Sequence, residues 1–445
     1  MDIAALVPAF GGGIVTLIAF VIALSIIVFV HEYGHYIVGR WSGIKAEVFS
    51  IGFGPVLLRR TDRHGTVWQV AAIPLGGFVK FLGDANAASG KDDAAIEALP
   101  ADQQRHTMHG APLWARAATV AAGPVANFLF AIMVFSIYAW IYGVATGAPV
   151  VGEVRAVPGH EQALQPGDRV LALAGQEVSD LAGLSSIAAD LGPLDRVDWT
   201  LERDGQRLTV AGPHPLPPLV DAVQPMSAAA EAGMLAGDLV LAIDGRPVRN
   251  FEEMREIVGA SDGRSLVLRV LRAGAEIDVT LTPQRRDLPR AEGGFETRWL
   301  IGLNGGLVFV PEIRGAGVLE GLHLGALRTW DAVALSLSGL WHIVFGQISS
   351  CNLSGPLGMA EMAGEAAKAG VEVFFGWLAM LSVGIGLMNL FPIPVLDGGH
   401  LVFHAWEAVT GKPPSERAFR ILMTAGLALI LTLMAFALSN DLFYP

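Results

Sequence analysis

Residues 16–30 read T-L-I-A-F-V-I-A-L-S-I-I-V-F-V, and the next five are H-E-Y-G-H. No other feature constrains the chain as much. A stretch this apolar belongs in hydrocarbon, where only a helix satisfies its own backbone hydrogen bonds. Ionisable groups at that depth cost several kcal/mol and mark pathways or reactive sites. On a helix His31 and His35 lie four residues apart and project from one face, so both imidazoles can bind one zinc ion. Glu32 is adjacent and can serve as a general base for water. A satisfied pair of core histidines is the bland alternative, and the carboxylate at membrane depth weakens it.

The rest of the chain fits a lipid setting. Of its 445 residues 52% are hydrophobic and 16% charged, against about 25% charged in soluble proteins. Stretches 14–38, 116–142, 371–395 and 421–438 are each long enough to cross the bilayer. The segment 324–346 mixes Arg328, Asp331 and His342 with Trp330, Leu335, Leu340 and Trp341, which favours an amphipathic helix at the membrane surface. The net charge of −12 argues against a nucleic-acid partner, because phosphate binding needs clustered Lys and Arg. A lone cysteine, Cys351, excludes an internal disulfide and a multi-cysteine zinc site. Residues 1–13 carry no basic n-region, so a cleavable leader is not expected.

Lys and Arg set the expected orientation. Residues 1–39 and the tail beyond Leu438 have none, whereas nine lie between Arg40 and Arg116, and Lys412, Arg417 and Arg420 lie between the last two spans. The positive-inside rule then puts both basic segments in the cytoplasm, and both termini and 143–370 outside.

That outer segment contains a repeat. Ala236-Gly237-Asp238 turns into L-V-L-A-I, Asp244-Gly245 signals a tight turn, F-E-E-M-R-E-I-V has helical spacing, and S-L-V-L-R-V-L-R and E-I-D-V-T-L-T read as strands. Pro166-Gly167-Asp168 occupies the matching place in an earlier copy. Both copies resemble PDZ domains of the bacterial envelope-protease type. Such domains add an extended peptide to a sheet edge; size-filtering spacers are the other reading.

A catalytic zinc takes three protein ligands and keeps one position open. Residues 389–400, N-L-F-P-I-P-V-L-D-G-G-H, lie at the cytoplasmic end of the third span. Pro392 and Pro394 break the helix, and Gly398 and Gly399 allow a turn directly after Asp397. Broken backbone at this depth needs protein or a water-filled cavity around it, so Asp397 is the expected third ligand, with His400 as its rival beyond the glycines. Asn389 can hydrogen-bond a substrate carbonyl or oxyanion, or simply hold the unwound segment together.

H-E-Y-G-H in the first span, N-L-F-P-I-P-V-L-D-G-G late in the chain and G-P-V-A-N-F at 123–128 together resemble the site-2 protease family of intramembrane metalloproteases. I-G-F-G-P (51–55) and I-P-L-G-G-F-V-K-F (73–81) match that family's membrane-associated β-hairpin loop, and S-G-P-L-G-M-A (354–360) its pattern before the third span. The resemblance implies one zinc on His31, His35 and Asp397, Glu32 as base, and Asn389 in substrate binding.

The expectation is therefore a polytopic α-helical membrane protein with four transmembrane helices, a β-hairpin loop and two inserted PDZ (α+β) domains. Its expected parts are 1–145 with the first two spans, 146–213 and 214–285 as the PDZ copies, 286–370 as linker with the surface helix, and 371–445 with the last two spans. The expected activity is zinc endopeptidase cleavage of single-span proteins within the bilayer of the bacterial inner membrane, with the active site towards the cytoplasm. A trimmed anti-sigma factor or remnant signal peptides are the substrates the family suggests. A membrane scaffold recruiting ligands through its PDZ pair, and a metal transporter, are the rivals.

Overall fold

The computed structural model describes residues 3–85, 93–158, 163–290, 294–349 and 353–443; Cys351 lies outside them. The chain divides into two units: Met1–Tyr138 with Leu319–Trp341 and Ser350–Pro445, and Ala139–Val318 with His342–Ser349.

In the first unit the long helices are α1 (Ile3–Trp41), α2 (Leu113–Tyr142), α3 (Val318–Val344), α4 (Pro356–Ala369), α5 (Val371–Asn389), α6 (Asp397–Thr410) and α7 (Glu416–Phe443). Four of them, Gly13–Trp41 within α1, α2, α5 and α7, are long and apolar enough to cross a membrane. The chain is thus an integral membrane protein that also carries β elements. The third span stops at Asn389, earlier than the expected 395, because Pro392 and Pro394 bring no backbone donors to extend it.

Helix α6 departs from expectation more usefully. Asp397 does not precede a glycine turn; it is the first residue of α6, and Gly398 and Gly399 are buried in its opening turn. A Cβ at Gly398 would strike the carbonyls of Leu390 and Phe391, and one at Gly399 the Ile393 carbonyl. The glycines therefore let α6 start hard against the irregular segment that precedes it, which fixes the direction of Asp397. The helix ends at Gly411, left-handed with φ 72°, whose N–H returns to the Glu407 carbonyl.

Helix α3 buries a stripe of small residues, Gly321, Gly325, Thr329 and Ala332. Ala332 joins a cluster with Ala131, Val134 and Phe135 of α2 and Ala379 and Val383 of α5. The expected surface helix is thus packed on the bundle along one face. Helix α4, unforeseen as a helix, packs Gly364 against Thr16 of α1, and Asp441 of α7 accepts from the N–H groups of Gly355, Leu357 and Gly358 at its start.

Between α1 and α2 run strands β1 (Ala46–Thr61) and β2 (Val67–Phe81). They form more than a simple hairpin. Ser50 pairs with Phe78 on one side and with Gln69 on the other, while Arg59 also pairs with Gln69. Both strands bend, so the first half of β1 lies between the two halves of β2. The end of β2, Gly77–Phe81, pairs with β1 along one edge only.

The second unit holds two sheets of the same order. Gln176–Glu177, Arg169–Leu173, Val197–Arg203 and Gln206–Gly212 form one; Arg246–Pro247, Leu239–Ile243, Leu266–Arg272 and Ala275–Leu281 form the other. Each carries a helix, Leu181–Asp190 or Phe251–Gly259, N-capped by Asp180 or Asn250. The repeated turn aspartates have one job in both copies. Asp168 takes two 2.6 Å hydrogen bonds from Arg203, and Asp238 takes 2.7 and 2.6 Å bonds from Arg272; each carboxylate is 1% exposed. Bidentate guanidinium pairing is what makes a carboxylate tolerable there.

The segment expected as linker supplies further strands. Leu303–Gly305 pairs with Val220–Val223, and Phe309–Pro311 with Val151–Val154. These three-residue strands show no period of their own, and only the distant partner makes them strands.

Candidate metal centre

His31 and His35 leave one face of α1 as their spacing requires. Their rings are 4.8 Å apart and nearly perpendicular, with the two Nε2 atoms 3.2 Å from each other. From the start of α6, Asp397 places Oδ2 at 3.1 Å from His31 Nε2 and 3.5 Å from His35 Nε2. Yet Asp397 Oδ2 is buried and makes no hydrogen bond. Three lone-pair atoms meet without bonding one another well, which is the arrangement a shared cation would complete. Among the described residues this is the one group of three or more such side chains whose ligand atoms lie within 4.8 Å of one another.

The surroundings aim these side chains. His35 Nδ1 lies 2.8 Å from the Thr119 carbonyl, so it carries the proton and donates, which leaves the Nε2 lone pair free. His31 Nδ1 lies 3.3 Å from the Asn127 side-chain amide, while Asn127 Oδ1 is buried without a partner. Turning that amide over pairs Oδ1 with His31 Nδ1–H, satisfies the orphan and frees His31 Nε2 in the same way. Gly123 completes the cradle: a Cβ there would collide with His35 Nε2 and stand 2.9 Å from His31 Cε1. Two imidazoles, one carboxylate and room beside them suit a catalytic zinc.

Glu32, Asn389 and His400 line the same cavity of about 280 Å³, beside Gly77, Phe78 and Val79 of β2. Asn389 Nδ2 donates back to the Ile385 carbonyl of its own helix at 3.1 Å. His400 stands one turn beyond Asp397 and outside the close group. Thr119, Gly123 and Asn127 were not singled out by residue type. For Gly123 and Asn127 the signal existed in the G-P-V-A-N-F motif, which shows no partner until α2 lies against α1; Thr119 lies outside that motif.

Comparison with known proteins decides the family. The family described as Peptidase family M50 matches residues 19–433. The chain belongs to peptidase family M50. This M50 chain is 37% identical over 428 residues, 96% of both chains, to a Rhizobium meliloti protein described as a candidate zinc metalloprotease. It is 35% identical over 456 residues to the regulator of sigma-E protease RseP of Escherichia coli, covering 96% of this chain and 98% of that one. RseP of Salmonella typhimurium is 36% identical with the same coverage. The M50 protein is a zinc metalloendopeptidase of the site-2 protease type, and Zn2+ is its cofactor.

Proposed function

We propose that this enzyme cuts the transmembrane segment of single-span proteins of the bacterial inner membrane, with one zinc held by His31, His35 and Asp397. The observation that carries the reading is the meeting of His31 Nε2, His35 Nε2 and Asp397 Oδ2 from opposite ends of the sequence, in a cavity shared with Glu32. Zinc supplies Lewis acidity there, polarising a peptide carbonyl and making water acidic enough to ionise near neutral pH.

The remaining steps belong to the chain's own groups. Glu32 takes a proton from the attacking water as its oxygen bonds to the carbonyl carbon, and returns it to the amide nitrogen as the C–N bond breaks. A substrate helix must unwind first, because its carbonyls are engaged within the helix. The edge of Gly77–Phe81 that lacks a strand partner runs along the cavity and suits an added peptide strand. In this reading Asn389 releases the Ile385 carbonyl and donates to the substrate backbone instead. Incubating the purified chain in bilayers with a candidate single-span protein tests this. Cleavage at a site within the span, stopped by a zinc chelator and restored by zinc, is expected; chelator-resistant cleavage would refute it.

A trimmed anti-sigma factor, or the remnant of a signal peptide, is the proposed substrate. The proposed topology has four spans, with both termini and the repeated modules outside. Single cysteines at Ser439 and Gly411, in a chain lacking Cys351, are expected to label from opposite faces of the membrane; labelling from one face would refute that arrangement.

The repeated modules, read as PDZ-type domains, are proposed to exclude substrates that still carry folded outer domains. In the proposed topology they lie on the outer side while the centre lies towards the cytoplasm, so they add no chemistry there. Because 303–311 contributes strands to both, a clean excision runs from 144 to 314. That deletion is expected to admit untrimmed substrate while leaving cleavage of trimmed substrate intact. Loss of trimmed-substrate cleavage in a folded enzyme would instead make the modules peptide recruiters.

A further inference from the structure

We propose that His109, His404 and His400 form a staging path for a divalent cation, through which zinc reaches and leaves the centre. The proposal rests on the reading that His31, His35 and Asp397 hold the zinc.

The path begins on α6. Asp397, His400 and His404 occupy positions i, i+3 and i+7, which share one face of a helix. At about 1.5 Å of rise per residue, His400 stands about 4.5 Å and His404 about 10 Å beyond Asp397 along the axis. Both line the cavity that holds the centre, and so does His109 from the turn before α2. His109 is the member that reaches solvent, its side chain 25% exposed; its Nε2 lies 3.5 Å from Oδ1 of Asp84, whose side chain is fully buried. The imidazoles therefore run from the outside of the cavity to the third ligand.

The polar atoms on this route are unspent. Asp84 Oδ1 and His109 Nε2 have only each other, at 3.5 Å, and His404 Nε2 is buried without a hydrogen-bond partner. Buried polar atoms this poorly satisfied beside one cavity need a reason. Burial holds His400 below the usual imidazole range and pushes His404 down to about 4, with Arg116 adding to the effect on His404. Both are neutral at physiological pH and offer lone pairs. Arg116, the guanidinium lining the cavity, is bound by both carboxylate oxygens of Glu407 at 3.0 and 2.6 Å, which removes most of its repulsion towards a cation.

The same geometry separates staging from storage. The ligand atoms of Asp84, His109, His400 and His404 do not close within 4.8 Å into a group of three. Each can replace some of the ion's water, and none can keep it. A hydrated dication entering a cavity walled by protein gains most from such stepwise exchange.

The test uses the full chain in lipid nanodiscs, stripped of metal by a chelator, with Co2+ uptake followed by its visible absorption and release by transfer to a chelating dye. His404→Leu and His109→Gln lie on different elements, so a packing fault in one does not spoil both. Each is expected to slow uptake and release alike by about 10-fold, the effect of about 1.4 kcal/mol on the passage barrier. The final load of one ion per chain and the equilibrium affinity should be unchanged, since a step on the route alters both rates equally. Unaltered uptake and release in both variants would overturn the proposal. So would weakened affinity with normal uptake, which marks a residue that supports the centre. Asp397→Ala serves as the separate control: if it takes up cobalt as fully as the parent chain, the ligand assignment beneath the proposal fails.

Discussion

Replacing Glu32 with Gln is expected to leave one zinc per chain and to lower cleavage by about 10²- to 10⁴-fold, the usual contribution of a positioned acid–base group. Gln keeps the size and polarity of Glu but cannot take a proton from water. Glu32 follows His31 on α1 and lines the cavity without belonging to the close group of three, so the fold and the metal should both survive the change. Zinc content by mass spectrometry and cleavage of a single-span protein, measured on one preparation, separate the two effects. Loss of zinc together with activity would place Glu32 among the ligands.

Gly123→Ala is expected to be nearly as severe for a different reason. The added methyl would occupy the space of His35 Nε2 and crowd His31 Cε1. Helix α2 cannot simply retreat, because His35 Nδ1 is bonded to Thr119 and Ser382 of α5 donates to the Asn127 carbonyl at 3.1 Å. The imidazole must rotate away instead, so zinc affinity should fall by at least about 10- to 100-fold, as when groups that orient ligands are lost. Titration with a competing chelator measures this. Gly384, on α5 and with nothing close to its missing Cβ, gives the control: Gly384→Ala should leave affinity unchanged.

The two predictions differ in what local sequence could supply. The spacing of His31, Glu32 and His35 needs nothing beyond a helix, and the apolar run before them dictates one. The approach of Asp397 to the histidines was legible because two prolines had to break α5 just before it. The role of Gly398 and Gly399 was not: glycine suggests a turn, whereas close approach to the carbonyls of 390–393 makes them the opening of α6. Gly123, Thr119 and Asn127 show their purpose only once α2 lies against α1. The double pairing of β1 and the short strands at 303–311 depend on partners far along the chain, which no local period encodes. The repeated modules were easier, because Asp168 and Asp238 sit in matching turns and find Arg203 and Arg272 at matching places.

The centre itself can be measured directly by X-ray absorption at the zinc edge, on the intact chain in bilayers and on its Asp397→Ala and His400→Ala variants. Two imidazole nitrogens with oxygen completing the sphere are expected for the parent chain and for His400→Ala, with zinc weakened or lost in Asp397→Ala. A sphere of three imidazoles, or one untouched by Asp397→Ala, would contradict the joining of α1 and α6 through a single metal ion.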